Sequence, residues 1–150
     1  MSLIGLMYAS KTSSENSKIK QDLMDILTEA VNFNSLHNIT GVLLYGNGYF
    51  LQYLEGEKDQ VESLFHTMIL KDQRHQNCEI IFLDSPENRS FERWSMKFAP
   101  INSHIKDFFK RHHIDEFNPY LLPTQSISAF IEILVDQPDQ KVDEFHKSNQ

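Results

Sequence analysis

The sequence predicts an α+β fold: a ferredoxin-like βαββαββ sheet with two helices on one face and a C-terminal two-helix extension. Three observations predict it. Apolar runs and helical stripes alternate in that order up to Phe98. A Gly46-Asn47-Gly48 turn joins the second and third strands as a hairpin. A right-handed crossover from the first strand to the second leaves room for the third between them.

Each element has its own warrant. Leu3 to Ala9 reads as a buried strand. Ser13 and Ser14 offer N-caps with Glu15 in the first turn, and Ile19, Leu23, Ile26, Leu27 and Ala30 then repeat at helical steps up to Phe33. His37-Asn38 ends that helix. Ile39 to Tyr45 and Tyr49 to Leu54 are the hairpin strands, and Gly56 breaks the second. Val61, Leu64, Phe65, Met68 and Ile69 form the next helical stripe, Asp72 to Asn77 a polar loop, and Glu79 to Leu83 a fourth strand. Ser85 to Asn88 is a turn, and Trp94 to Phe98 a short edge strand. Ile105, Phe108 and Phe109, then Ile127, Phe130, Ile131 and Leu134, mark two further helices, and the polar tail is expected to fray from Pro138. The expected division is therefore 1–98 as one domain and 99–150 as a helical extension packed on the sheet.

Composition narrows the function. With 150 residues, 40% hydrophobic and 23% charged, the chain has ordinary globular make-up. Fourteen Lys and Arg against 21 Asp and Glu leave a net charge of −7, which disfavours direct nucleic-acid binding and anionic membrane surfaces. Cys78 is the single cysteine, so neither an intrachain disulfide nor a paired-cysteine zinc site is available. No run of about 20 apolar residues spans a bilayer. These features predict a cytoplasmic protein. No P-loop, G-x-G-x-x-G or G-x-S-x-G is present. Ser10 and Ser13 have no evident base, Glu55 and Glu57 read as solvated at a strand end, and His104, His112, His113 and the His75/Cys78 spacing read as non-metal.

The informative residues are polar ones in apolar places. Gln52 shares a strand face with Phe50 and Leu54, and Tyr8 shares one with Ile4 and Leu6. The first and third strands should be neighbours, so the phenol and the amide can partner each other. Ile26, Ala30 and Asn34 line one helix face at four-residue steps and end in an amide. Taken one at a time, a satisfied core pair and a plain helix C-cap are the common explanations of these residues. A flat ligand with amide-like edges and an apolar body explains all three together. Asp72, Arg74 and His75 read either as an exposed turn or as a grip on a ligand's polar tail.

These residues fall in motifs: Leu6-Met7-Tyr8-Ala9-Ser10, Phe33-Asn34, Ile39 to Tyr45, Phe50 to Gly56, Lys71 to His75 and Arg93-Trp94-Ser95-Met96. In that order, over residues 1 to 98, the chain resembles the BLUF photoreceptors, flavin-based blue-light sensors. The resemblance implies a flavin between the two helices, FAD with FMN as the alternative. Tyr8 would be the redox-active tyrosine and Gln52 the bridge to the flavin edge. Asn34 would hold the pyrimidine edge, Ile26 and Ile69 would flank the ring, and Ala30, Phe33 and Phe50 would complete the pocket. Asp72, Arg74 and His75 would approach the ribityl and phosphate end, while Trp94 and Met96 on the fifth strand would carry the signal.

Four departures are visible. Phe33 stands where many members have His or Asn, Ala30 where some have a hydroxyl, and Thr67 or Met68 where some have an arginine. The helix from Lys58 to Lys71 is one residue longer than usual, so Ile69 is placed by counting back from Asp72. The resemblance further implies a short stand-alone member that is not an enzyme. It would signal to a protein partner, a transcription or motility regulator, and a homo-oligomer is compatible with it. The competing expectations are a ferredoxin-like ligand-binding or dimerisation module without photochemistry, and a small flavin oxidoreductase.

Overall fold

The computed structural model describes residues 2–13 and 18–142. A five-stranded sheet has the order β4-β1-β3-β2-β5, with β1 at Leu3–Thr12, β2 at Thr40–Gly46, β3 at Tyr49–Glu57, β4 at His75–Asp84 and β5 at Lys97–Phe98. β3 lies between β1 and β2, antiparallel to both. The hairpin turns at Asn47 and Gly48, whose φ values of 52° and 80° are the left-handed pair that a two-residue hairpin favours.

Strand alternation divides the core in two. Ile4, Leu6, Tyr8, Leu43, Phe50 and Leu54 face α1 (Ile19–Leu36) and α2 (Lys58–Ser63). Met7, Val42, Leu44, Leu51 and Tyr53 face the opposite way, against α3 (Ser103–Arg111) and α4 (Ile127–Val135). Ile105, Phe108, Phe109, Phe130 and Leu134 fill that second layer, so the stripes read beyond Pro100 are helix faces buried on the sheet.

Several expectations need correction. Ser13 does not cap α1. The helix starts at Ile19 after Lys18 with no side-chain cap, and the Ser13 hydroxyl donates instead to the Gln73 carbonyl. Ser14 and Glu15 lie outside the described residues. Gly56 does not break β3, which continues to Glu57 with Gly56 opposite Ile4. A Cβ at Gly56 would lie 3.1 Å from Val61 and 3.2 Å from Ile39, so glycine here permits α2 to pack close to the strand. β4 begins at His75, because pairing with Thr12 and Lys11 draws His75 and Gln76 into the sheet. The fifth strand is shorter than Trp94 to Phe98. Trp94 and Met96 precede it, since the Ser95 carbonyl is taken by the Asn34 amide at 2.8 Å rather than by a ladder bond. The tail is not free from Pro138: Asp139 accepts from Phe98 N at 2.9 Å, and Gln140 N donates to Phe98 O at 2.6 Å.

The second helix is not α-helical throughout. α2 passes into a π-helical stretch at Leu64–Ile69, where Leu70 N bonds Phe65 O five residues back. A π turn takes in one more residue than an α turn while keeping the flanking faces in phase. Phe65 and Ile69 therefore both remain on the buried side.

Candidate functional site

α1, the π-helical stretch and the sheet enclose a cleft of about 480 Å³, counted out to its open mouth. Ile26, Ala30, Phe33 and Ile69 supply apolar walls. Tyr8, Asn34 and Gln52 supply its inner polar groups, and Asp72, Arg74 and His75 lie along it as well. Apolar walls with a few convergent polar groups suit a small-molecule site.

The β1–β3 register sets Tyr8 directly opposite Gln52. The Tyr8 hydroxyl donates to Gln52 Oε1, and Gln52 Nε2 lies 3.5 Å from the sulfur of Met96. Burial pushes the Tyr8 phenol well above its ordinary range, with Cys78 and Asp72 adding to the shift, so the phenol is protonated at neutral pH. Gln52 is thus held at both ends of its amide.

Asn34 is in the last turn of α1 but does not act as its cap. Asn38, with φ of 54°, takes the left-handed position beyond the helix end. The Asn34 side chain instead spans to Ser95 O through Nδ2. Its Oδ1 is buried and, among the described residues, has no hydrogen-bond partner. An amide oxygen in that state costs on the order of 1–3 kcal/mol unless a ligand donor meets it.

At the mouth, Arg74 joins two elements. Nε donates to Asp72 Oδ1 at 2.9 Å, and Nη2 donates to Glu29 Oε1 on α1 at 2.9 Å. Bonds to Asp72 and then Glu29 raise the Arg74 pKa. Burial pushes the Asp72 carboxyl up, but its bonds from Arg74 and the nearby His75 outweigh that and hold it below the usual range. Ser10 does have a basic neighbour: its hydroxyl lies 2.9 Å from His75 Nδ1, because the β1–β4 pairing brings His75 beside that end of β1. Ser10 is fully buried, so the contact orients the imidazole rather than presenting a nucleophile. Burial lowers the His75 pKa to about 4, so the ring is neutral at pH 7.

Phe50 is fully buried beneath the cleft, tilted against Tyr45 and His75 at 4.8 and 4.6 Å between centroids. Met96 is buried under Gln52 rather than on the cleft wall. Trp94 is half-buried on the opposite side, its ring 5.9 Å from Lys97 Nζ. Sequence reasoning missed Glu29, Leu64 and Met68 as cleft residues. Glu29 follows Ile26 by three residues and precedes Phe33 by four, so helical spacing held that signal. Glu55 was misread as solvated. It is fully buried because the loop after β4 folds over it, and Ser90 N and Phe91 N donate to its carboxylate at 2.7 and 2.8 Å. Burial raises its pKa against the opposing pull of those bonds.

The chain is similar to known proteins in both sequence and fold. BlsA in its photo-activated state matches with a TM-score of 0.88 and 43% identity, covering 93% of this chain and 99% of that one. The BlsA ground state matches with a TM-score of 0.89 and 42% identity, covering 97% and 96%. Photoactivated adenylate cyclase subunit alpha of Euglena gracilis is 38% identical over 89 residues, which are 59% of this chain and 8% of that protein. The blue light- and temperature-regulated antirepressor BluF of Escherichia coli (strain K12) is 29% identical over 105 residues, 70% of this chain and 25% of that protein. The chain thus spans a minor part of the length of these curated relatives. Residues 3–97 match the family described as sensors of blue-light using FAD, and the chain belongs to that family, BLUF.

Proposed function

We propose that this chain senses blue light through a flavin held in the cleft between α1 and the π-helical stretch, and passes the signal to a protein partner. The observation that carries the reading is the orphaned Oδ1 of Asn34 in the cleft lined by the Tyr8–Gln52 pair. An isoalloxazine fits these groups: its imide N–H suits the lone acceptor, its carbonyl edge suits the amide of Gln52, and its apolar body suits Ile26, Phe33 and Ile69. Asp72, Arg74 and His75 would meet its ribityl end. FAD is favoured by the family's description, with FMN as the alternative.

Bound flavin supplies blue absorption and an oxidising excited state. Tyr8 would supply one electron and its phenolic proton to the photoexcited ring and then take both back, so that no net oxidation results. Gln52, whose amide carries two donors and one acceptor, would relay the proton and turn its amide. A stronger bond from the turned amide to the ring carbonyl would lower the excitation energy and shift the absorption to the red. Met96, touching Gln52 Nε2, registers the turned amide first, and Trp94 neighbours it on the same loop. We read residues 1–98 as the flavin-binding domain and 99–150 as the helical extension that meets the partner. Sensing rather than turnover is the proposed role. The partner would be a regulator of transcription or motility in the cytoplasm. Among the described residues no helix is long and apolar enough to cross a membrane.

The test is the visible spectrum of the purified protein, reconstituted with FAD, before and after blue light. A yellow protein with a small reversible red shift is expected. A protein that stays colourless after reconstitution would favour the plain binding module. Yellow without a shift, with a reductant consumed in the dark, would favour the oxidoreductase.

A further inference from the structure

β5 is two residues long, yet three consecutive residues there join three different parts of the molecule. Met96 lies 3.5 Å from Gln52 Nε2 on the cleft side. Lys97 points to the opposite face, as strand alternation requires. Its Nζ donates to Leu134 O at 3.1 Å and Val135 O at 2.9 Å, in the last turn of α4. Phe98 returns to the cleft-side core, and its backbone N–H and C=O are taken by Asp139 and Gln140.

The Lys97 contact is unusual for a lysine. The residue is only 3% exposed, and its ammonium lies 5.9 Å from the centres of both the Phe91 and Trp94 rings. A helix C-terminus is a natural seat for a cation, because its last carbonyls have no partners further along the helix and carry the negative end of the dipole. A buried ammonium that loses such a carbonyl must find another partner, since leaving it unmet is strongly unfavourable. α4 and β5 are therefore not free to move independently.

We propose that Lys97 is the positioning residue that makes α4, and the 136–142 segment following it, respond to the hydrogen-bond state of Gln52. The proposal rests on the reading above that Gln52 rearranges in light. A turned Gln52 amide changes its contact with Met96, one peptide bond from Lys97. A shift there carries the ammonium, and the two carbonyls bound to it must follow or exchange partners. The last turn of α4 then loosens together with the Asp139 and Gln140 bonds to Phe98.

The experiment is hydrogen–deuterium exchange of the flavin-loaded full chain, in darkness and under blue light, on wild type, Lys97→Met and Lys97→Arg. Wild type should exchange several-fold faster across 131–142 in light. Lys97→Met keeps the stem but not the ammonium. It should retain the red shift, because Lys97 does not line the cleft, yet exchange equally fast in both conditions. Lys97→Arg should restore most of the light dependence. An undiminished light-minus-dark difference in Lys97→Met would overturn the proposal, as would a wild type whose 131–142 exchange ignores light. Should Lys97→Met not fold, the ¹⁵Nζ resonance of Lys97 in wild type decides: it should shift between dark and light, and an unmoved resonance overturns the coupling. A wild type without any red shift would overturn the photoreceptor reading and this coupling with it. A normal red shift with an unresponsive α4 would overturn the coupling alone.

Discussion

Tyr8 and Gln52 stand directly opposite each other in the β1–β3 ladder, phenol to amide oxygen, at the wall of the cleft. A buried pair of this kind could be inert. What distinguishes it is the other end of the amide, which meets Met96 Sδ, and the Asn34 oxygen in the same cleft wall, which has no partner among the described residues. Asn34 and Gln52 also grip adjacent residues, Ser95 through its carbonyl and Met96 through its sulfur. A ligand touching both amides would therefore act on one short stretch of chain.

Tyr8→Phe should leave the cleft shape intact and bind flavin, because only the hydroxyl is lost. It should lose the light-induced red shift. Difference spectra under blue light check this, and a normal shift would remove Tyr8 as the donor.

Gln52→Leu fills similar volume but removes both the acceptor for Tyr8 and the donor toward Met96. The red shift should vanish while flavin stays bound. A photocycle that survives in this variant would take the glutamine out of the mechanism.

Asn34→Ala removes the lone acceptor and frees Ser95 O. One net hydrogen bond is worth about 1 kcal/mol, so flavin affinity should fall roughly 5- to 10-fold. Titration of FAD followed by fluorescence quenching measures it, and unchanged affinity would show that Oδ1 does not meet the ligand.

Acid should destabilise the protein through His75. Its folded-state pKa is about 4 against 6.5 when unfolded, so between those values the unfolded chain binds more protons and stability falls as pH falls. At ~1.36 kcal/mol per pH unit the full loss is about 3 kcal/mol. Asp72, whose carboxyl is held low, loses stabilisation in the same direction. Urea midpoints at pH 7 and pH 4 for wild type and His75→Asn separate the two; a wild-type slope no steeper than that of His75→Asn would contradict the assignment.

Glu55→Ala should cost on the order of 3 kcal/mol, because it strands the buried N–H of Phe91 and the half-buried N–H of Ser90. The loss should appear in chemical denaturation. A change below 0.5 kcal/mol would mean that water replaces the carboxylate at little cost.

How much of this was legible differs from residue to residue. The stripes Ile19–Leu23–Ile26 and Ile127–Phe130–Leu134, and the Asn47-Gly48 turn, were readable because periodicity and turn chemistry are local. The pairing of Tyr8 with Gln52 followed from the crossover rule plus strand alternation, and so did the burial of both. The motifs for the family lay in linear order and needed no coordinates. Glu55, the Ser10–His75 contact, the Arg74–Glu29 bridge and the buried ammonium of Lys97 were not readable. Each joins residues at least 35 positions apart, and a charged side chain looks solvated until something distant is seen to cover it. The sequence by itself determined which strands, helices and polar outliers exist. Only the tertiary structure decided which carboxylate is sealed under a loop and which lysine is pinned to a helix end, because burial is a property of surfaces brought together in space.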